Sequence, residues 1–428
     1  MTRRIFRATN IVLFLLCLMY FLTYVDRVNV ATAVSAFRKE FSLNNMQVGF
    51  LFSAFAYTYF VFQILGGWLA DRYGAHKVLT VCGLVWATST ILMGLVHTFA
   101  WMIAARLLLG LGEGATFPTA TRAMASWTPV GKRGFAQGLV HSFARLGNSI
   151  TPWFVATLIA AFSWRASFVL VGILSTGWAL GWALYFRDNP ANHKGITPQE
   201  LATLPSISRK KEKIVVPWKP VLKRMFPVVV VYFCYGWTLY MFMGWLPSFF
   251  NAQFHLNLKN SALFASTVFF AGVIGDTLGG VVSDWLFRKT NSAKIARTYV
   301  IAISMLLCCL SVAPIMYTRN VTLVALSLSS AFFWAEMTIG PMWAVPMDIA
   351  PKFSGTASAV MNMGAALAAI VSPLLFGYIV DKTGSWTLPF YGSMVLMLFG
   401  TALAFTMHPE RPLAEAVEAK SAPAMAGI

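Results

Sequence analysis

Charge is what this chain has least of. Only 11% of its 428 residues are Asp, Glu, Lys or Arg, and just 15 of them are acidic. A soluble domain of ordinary composition carries about 25% charged residues, so a water-facing globular protein is excluded. Cysteine is sparse as well. Cys17, Cys82, Cys234, Cys308 and Cys309 lie in apolar runs and no pair has the spacing of a metal or redox site, which leaves them as packing residues. Long polar stretches are nearly absent. The exception is 187–225, with nine basic and three acidic residues including RKKEK at 209–213. A cleaved signal peptide is also missing: the first apolar run continues to Phe37 with no A-x-A-like site at its end.

What remains is apolar: 58% of residues are hydrophobic. Twelve runs are long enough to cross a bilayer, which takes about 20 residues: 11–37, 46–70, 78–97, 100–124, 135–161, 166–186, 226–251, 261–285, 298–317, 321–348, 355–380 and 387–407. The expected fold class is therefore an all-α integral membrane protein of twelve transmembrane helices. The formal net charge of +18 does not point to nucleic acid, because most Lys and Arg fall in the N-terminal segment, the even-numbered loops and the C-terminal tail. The other side holds Arg38, Lys39, Arg165, Lys259, Arg319 and Lys382. This positive-inside pattern places both termini in the cytoplasm, in a multi-pass plasma (bacterial inner) membrane.

The chain repeats itself at half length. GGWLADRYGAHKV at Gly66–Val78 returns as GGVVSDWLFRK at Gly279–Lys289, with Gly67 on Gly280 and Asp71 on Asp284 at an offset of 213. Gly134 and Pro152 fall on Gly355 and Pro373 at an offset of 221. A half-length repeat predicts two six-helix bundles moving around a central site: residues 1–186 and 226–407, joined by a cytoplasmic linker at 187–225 and followed by a tail at 408–428.

Against this background the buried charges stand out, since each costs at least ~3 kcal/mol in the hydrocarbon on insertion scales. They are Asp26 and Arg27 in span 1, Arg106 and Glu113 in span 4, Arg145 in span 5, Asp276 in span 8 and Glu336 in span 10. The first five gather at similar depth. Arg106 and Glu113 are two turns apart on one face, too far to pair along the helix. Arg presents a planar fork of donors suited to carboxylate, and a desolvated Asp or Glu can exchange protons. The set therefore predicts a site that binds an organic anion and couples it to protons. A carboxylate would occupy an Arg in the empty state, and its protonation would free that Arg for substrate. Tyr24, Asn29, Tyr57, Tyr59, Gln63, Trp237, Tyr240, Trp334 and Asn362 are polar or aromatic candidates for the same cavity; Tyr59 and Gln63 share a face of span 2.

With these features the chain resembles the major facilitator superfamily. Within it, YVDRVN at 24–29, FSAFAYTYFVFQILGGWLADRYG at 52–74 and RLLLGLGEGATFPTATRAMASWTP at 106–129 resemble the anion:cation symporter family. The resemblance implies proton-coupled uptake of hexonates, hexarates, hexuronates, aromatic carboxylates or other organic anions by alternating access; a dicarboxylate is suggested by the added Arg145. It implies proton-coupling roles for Asp26 and Glu113 and substrate or charge-relay roles for Arg27 and Arg106. It also carries substrate roles to Tyr59, Gln63 and Asn362, and a cytoplasmic latch to Gly67, Asp71 and Arg72, with Asp284 in the second copy. Arg145 and Asp276 depart from sugar-acid members, as does FMGWLP at 242–247. An added Arg145 suits a second anionic group or an aromatic acid. Glu336, Asp276, Trp237 and Tyr240 are additional candidates.

No cofactor is expected beyond protons as coupling ion, with sodium left open. The expected partners are a small organic anion and the lipid bilayer, without nucleic acid; the resemblance suggests a monomer. An anion exchanger is the alternative. A multidrug exporter fits three buried Arg poorly, and an enzyme lacks a nucleophile motif or metal spacing: His141 alone among six His lies deep in a span.

Overall fold

The computed structural model describes residues 7–129, 133–205, 217–350 and 354–413. Among them there are helices and no strands. The helices are α1 (Ala8–Phe41), α2 (Asn45–Tyr73), α3 (Ala75–Leu95), α4 (Phe99–Gly114), α5 (Thr116–Trp127), α6 (Arg133–Ala161), α7 (Trp164–Tyr185) and α8 (Pro198–Thr203). They continue as α9 (Trp218–Phe254), α10 (Leu258–Thr290), α11 (Val300–Val312), α12 (Val321–Met337), α13 (Ile339–Ile349), α14 (Ser354–Thr383) and α15 (Leu388–Ala404). Every predicted span coincides with a helix or a helix pair. Eight of these segments are long and apolar enough to cross a membrane by themselves. Large apolar side chains such as Trp101, Phe162, Leu184 and Phe226 remain exposed, as expected of a surface wetted by lipid.

Local chemistry starts and stops these helices. Asn44 and Gln47 form a reciprocal capping box at the start of α2, and Thr98, Ser163 and Asn320 cap α4, α7 and α12. Spans 4 and 10, which the sequence reads as single helices, are each broken into two. The physical cause is proline. Pro118 and Pro341 have no N–H to offer the carbonyl four residues back, and their rings crowd it. Those carbonyls belong to Gly114 and Met337, the last residues of α4 and α12. Hydroxyls satisfy part of the exposed backbone, Thr116 donating to the Glu113 carbonyl at 2.6 Å and Thr338 to the Ala335 carbonyl at 2.7 Å. Pro152, Pro346 and Pro373, by contrast, lie inside continuous helices.

The chain folds into two compact units. The first comprises 1–212 with 241–270 and 373–386; the second comprises 213–240, 271–372 and 387–428. In the first unit, an aromatic ladder joins α3 to α7. Trp86, Trp178, Trp182 and Phe186 stack with successive centroid distances of 4.9, 5.9 and 4.0 Å. α4 lies so close to α2 that a Cβ on Gly110 would fall 2.0 Å from the Phe55 carbonyl oxygen, an approach open only to glycine. Asp381 caps α2, accepting from the Asn45 N–H at 3.0 Å and the Met46 N–H at 2.5 Å. The linker helix α8 also joins this unit, Glu200 accepting the Thr9 hydroxyl at 3.1 Å.

In the second unit the glycine seam lies on α10. A Cβ on Gly275 would fall 2.2 Å from the Phe333 carbonyl oxygen of α12.

Candidate functional site

The predicted charges of the first unit are all buried, held by contacts between different helices. α1 carries Arg27 into the unit, where its Nε lies 2.7 Å from Glu113 Oε2, near the end of α4; the two side chains are 4% and 0% exposed. Around this pair stands a box of rings. The guanidinium lies 5.0 Å from the Tyr24 centroid, 4.9 Å from Phe55, 4.8 Å from Tyr59 and 5.3 Å from Phe117. Aromatic faces attract a cation, more strongly without water. The box thus surrounds the guanidinium with faces that favour a cation, while its Nε engages one oxygen of Glu113; the other, Oε1, has no hydrogen-bond partner among the described residues.

Asp26, although adjacent to Arg27, faces elsewhere, because consecutive helical positions are about 100° apart. Its carboxylate accepts the Thr90 hydroxyl of α3 at 2.8 Å and the Ser175 hydroxyl of α7 at 3.4 Å. Beside it, Asp26, Ser89, Thr90 and Arg106 contribute to a cavity of about 10 Å³, the lower limit for one water molecule. Arg106 is fastened to α2 backbone, donating to the Leu51 carbonyl at 3.3 Å and the Phe52 carbonyl at 3.5 Å, and its guanidinium lies 5.3 Å from Phe55. One ring thus sees both Arg27 and Arg106.

Arg145 is buried on α6, 5.6 Å from the Tyr24 centroid. One turn earlier His141 meets Tyr20 edge-on at 5.4 Å. Two buried amides missed or lightly weighted in the sequence add to this region: Asn148, one turn beyond Arg145, and Asn29 on α1. Each is fully buried, with both amide atoms lacking a hydrogen-bond partner among the described residues. The signal for Asn148 was present, an amide on the same face as Arg145 in an apolar span. Thr90 and Ser175 gave none, since hydroxyl residues are common in such spans. Altogether these spans of the first unit bury three guanidiniums and two carboxylates, an excess of positive charge that favours an anion.

The remaining candidates are placed as follows. Gln63 is half-buried one turn beyond Tyr59, and Tyr57 is exposed, its ring against Phe50 rather than Arg27. In the second unit, Glu336 is fully buried and accepts the Tyr235 hydroxyl at 3.0 Å. Asp276, Tyr240 and Asn362 are half-buried; Trp237 is buried, and its carbonyl accepts the Ser372 hydroxyl at 2.8 Å. Gly67 and the Asp71 side chain lie outside the described residues. Arg72 is exposed over the Tyr73 ring at 5.5 Å. Asp284 meets Arg297 at 3.2 Å; the same guanidinium reaches Asp348 at 3.2 Å and bonds Ser283.

Comparison with known proteins agrees with this architecture. The family described as Major Facilitator Superfamily matches residues 16–373. The chain is 42% identical, over 94% of each protein, to one described as a probable sulfoacetate transporter of Cupriavidus necator. It is 31% identical, over 85% of each, to a probable galactarate/D-glucarate transporter of Escherichia coli, and 29% identical, over 86% of each, to a hexuronate transporter of Bacillus subtilis. Among solved structures, a bacterial homolog of the human lysosomal transporter Spinster, crystallised inward-facing and unoccupied, superposes with a TM-score of 0.77 at 17% identity. That match covers 94% of this chain and 97% of the other.

Proposed function

We propose that this chain, which belongs to the Major Facilitator Superfamily and is a transporter rather than an enzyme, carries a small organic dianion into the cell together with protons. The observation that supports this most is the buried Arg27–Glu113 pair inside its aromatic box. Glu113 stands where a substrate carboxylate or sulfonate would bind. When a proton from outside neutralises Glu113, the ion pair is lost and Arg27 becomes available to an anion. The anion in turn replaces the negative charge that the site requires. Release reverses the exchange: the proton leaves Glu113 toward the cytoplasm and the carboxylate reclaims Arg27. Asp26 is the second exchangeable carboxyl of this unit. Arg106, fastened to α2, holds α4 in register with the box.

The dianion class rests on Arg145 and on the relatives. Sulfoacetate, galactarate and glucarate each carry two anionic groups. Arg27 takes one and Arg145, beside the same Tyr24 ring, takes the other. Tyr59 and Gln63 add contacts. Arg72, Asp71, Gly67 and Asp284 belong to the cytoplasmic latches of alternating access. Both termini lie in the cytoplasm.

Uptake by purified protein in proteoliposomes tests the reading, across sulfoacetate, galactarate, a hexuronate and an aromatic acid, with and without an inward proton gradient. The expected result is gradient-stimulated uptake of the dianions. Uptake indifferent to the gradient, but dependent on an internal anion, would replace symport by exchange.

A further inference from the structure

Asn148 is a buried amide with no partner. It lies on α6 one turn beyond Arg145 and is 0% exposed, and neither its nitrogen nor its oxygen has a hydrogen-bond partner among the described residues. A side-chain amide carries two N–H donors and an acceptor oxygen, and leaving both ends unmade in an apolar interior is costly. The backbone at this residue adds to the deficit. Pro152, four residues on and inside the same helix, has no N–H to return to the Asn148 carbonyl. The Thr151 hydroxyl does not replace it, since it donates to the Gly147 carbonyl at 2.6 Å. One residue therefore offers a side-chain donor, a side-chain acceptor and a carbonyl released from the helix ladder.

Its neighbours show where it points. Gly147 faces α1, where a Cβ would fall 2.7 Å from the Phe21 carbonyl oxygen and 3.2 Å from Tyr24 Cβ. Ser149 donates to the Ser266 carbonyl of α10 at 3.3 Å. The Asn148 side chain leaves α6 between these two contacts. His141, Arg145 and Asn148 stand at i, i+4 and i+7, on one stripe of the helix. That stripe follows α1, with His141 against Tyr20 and Arg145 against Tyr24, and the Tyr24 ring is also a wall of the Arg27 box. The amide thus belongs to the Arg145 end of the substrate site.

We propose that Asn148 is a specificity-determining residue that binds a hydroxyl group of the substrate, so that the preferred dianion is a hydroxylated one. The inference rests on the dianion reading given above and deepens it. An anionic oxygen only accepts, and would meet the amide N–H while leaving Oδ1 and the released carbonyl unmet. A hydroxyl does both: it accepts from Nδ2 and gives its own proton to Oδ1 or to the backbone carbonyl. A hydroxyl on the carbon bonded to a carboxylate is held beside that carboxylate. Arg145 and Asn148, one turn apart, can therefore engage the two groups together.

Uptake by the full-length protein in proteoliposomes, under an inward proton gradient, tests this with galactarate and adipate, six-carbon dicarboxylates that differ only in hydroxyls. Wild type is expected to prefer galactarate by at least about ten-fold in kcat/KM. Asn148→Leu, close in size, is expected to lose most of that preference by slowing galactarate, with adipate within about two-fold of wild type. Without ligand the variant is expected to melt no lower than wild type, because the amide it removes has no protein partner. An unchanged galactarate-to-adipate ratio in Asn148→Leu overturns the inference, as does a variant that slows both substrates alike. A variant that melts well below wild type, or fails to assemble, overturns it too, since the amide would then be serving the fold. Wild type that takes up sulfoacetate and adipate as well as galactarate also overturns it, but leaves the dianion reading standing. Wild type that takes up no dianion in response to the gradient removes that reading itself.

Discussion

The two units solve one problem, a glutamate at the break of the fourth helix of each repeat, in two ways. In the first, Glu113 meets a guanidinium at 2.7 Å within four aromatic rings; in the second, Glu336 meets a phenol at 3.0 Å. The glycine seams differ as well. Gly110 on α4 accommodates the Phe55 carbonyl of α2, whereas Gly275 on α10 accommodates the Phe333 carbonyl of α12. The helix pairs correspond, and α2 and α10 also carry glycines at the repeat offset, Gly66 against Ala115 and Gly279 against the Met337 carbonyl, whereas Gly110 on α4 has no glycine counterpart on α12. The difference teaches that the repeat conserves backbone breaks and close approaches while side-chain chemistry diverges. Three buried guanidiniums are concentrated in the first unit, so anion recognition is expected to belong mainly there.

The largest effect is expected from removing the cation. Arg27→Leu leaves Glu113 buried without its partner, a loss of about 3–5 kcal/mol, read as a large fall in melting temperature and loss of uptake. Adding Glu113→Gln to that variant should restore part of the stability but none of the gradient-driven uptake. A single Arg27→Leu that melts like wild type would break the contrast between the units. The parallel change in the second unit, Tyr235→Phe, removes one hydrogen bond and is expected to cost about 1–3 kcal/mol, less than Arg27→Leu in the same melt.

The seams come next. Gly110→Ala and Gly275→Ala should each cost about 1–3 kcal/mol through forced separation of the helices. Equal losses would show that the two seams matter alike although they lie on opposite partners. Smallest is the pair between the C-terminal end of α1 and the start of α7. Arg165 donates to both Glu40 oxygens at 2.7 and 2.6 Å, which holds the Glu40 carboxyl below its ordinary range. A depressed carboxyl contributes stability above its unfolded-state value and loses it as pH falls through the folded one. Glu40→Gln should therefore cost under about 1 kcal/mol at neutral pH. Its melting difference from wild type should vanish in acid below the usual glutamate range.

Much of this was legible in the sequence because a bilayer simplifies the reading. Apolar runs located all twelve spans, the Gly67/Gly280 and Asp71/Asp284 matches exposed the repeat, and charge in hydrocarbon marked Asp26, Arg27, Arg106, Glu113 and Arg145. Pairings were not legible. Arg27 and Glu113 are 86 residues apart and Tyr235 and Glu336 are 101, and helical periodicity says nothing about which faces meet across such distances. Tyr235 was passed over for its neighbours Trp237 and Tyr240 because polar aromatics at a span's interior look alike in one dimension. Nor does a proline declare whether it breaks a helix or is absorbed. Pro118 and Pro341 do the first, Pro152 and Pro373 the second, and the outcome depends on which neighbouring groups satisfy the released carbonyl.

The central claim is that Glu113 occupies Arg27 when substrate is absent and yields it on protonation. Parallel assays of Glu113→Gln for gradient-driven uptake and for counterflow test it most directly. The account predicts that the variant, permanently neutral at this position, loses gradient-driven uptake while counterflow persists. Gradient-driven accumulation at the wild-type level in Glu113→Gln would contradict it.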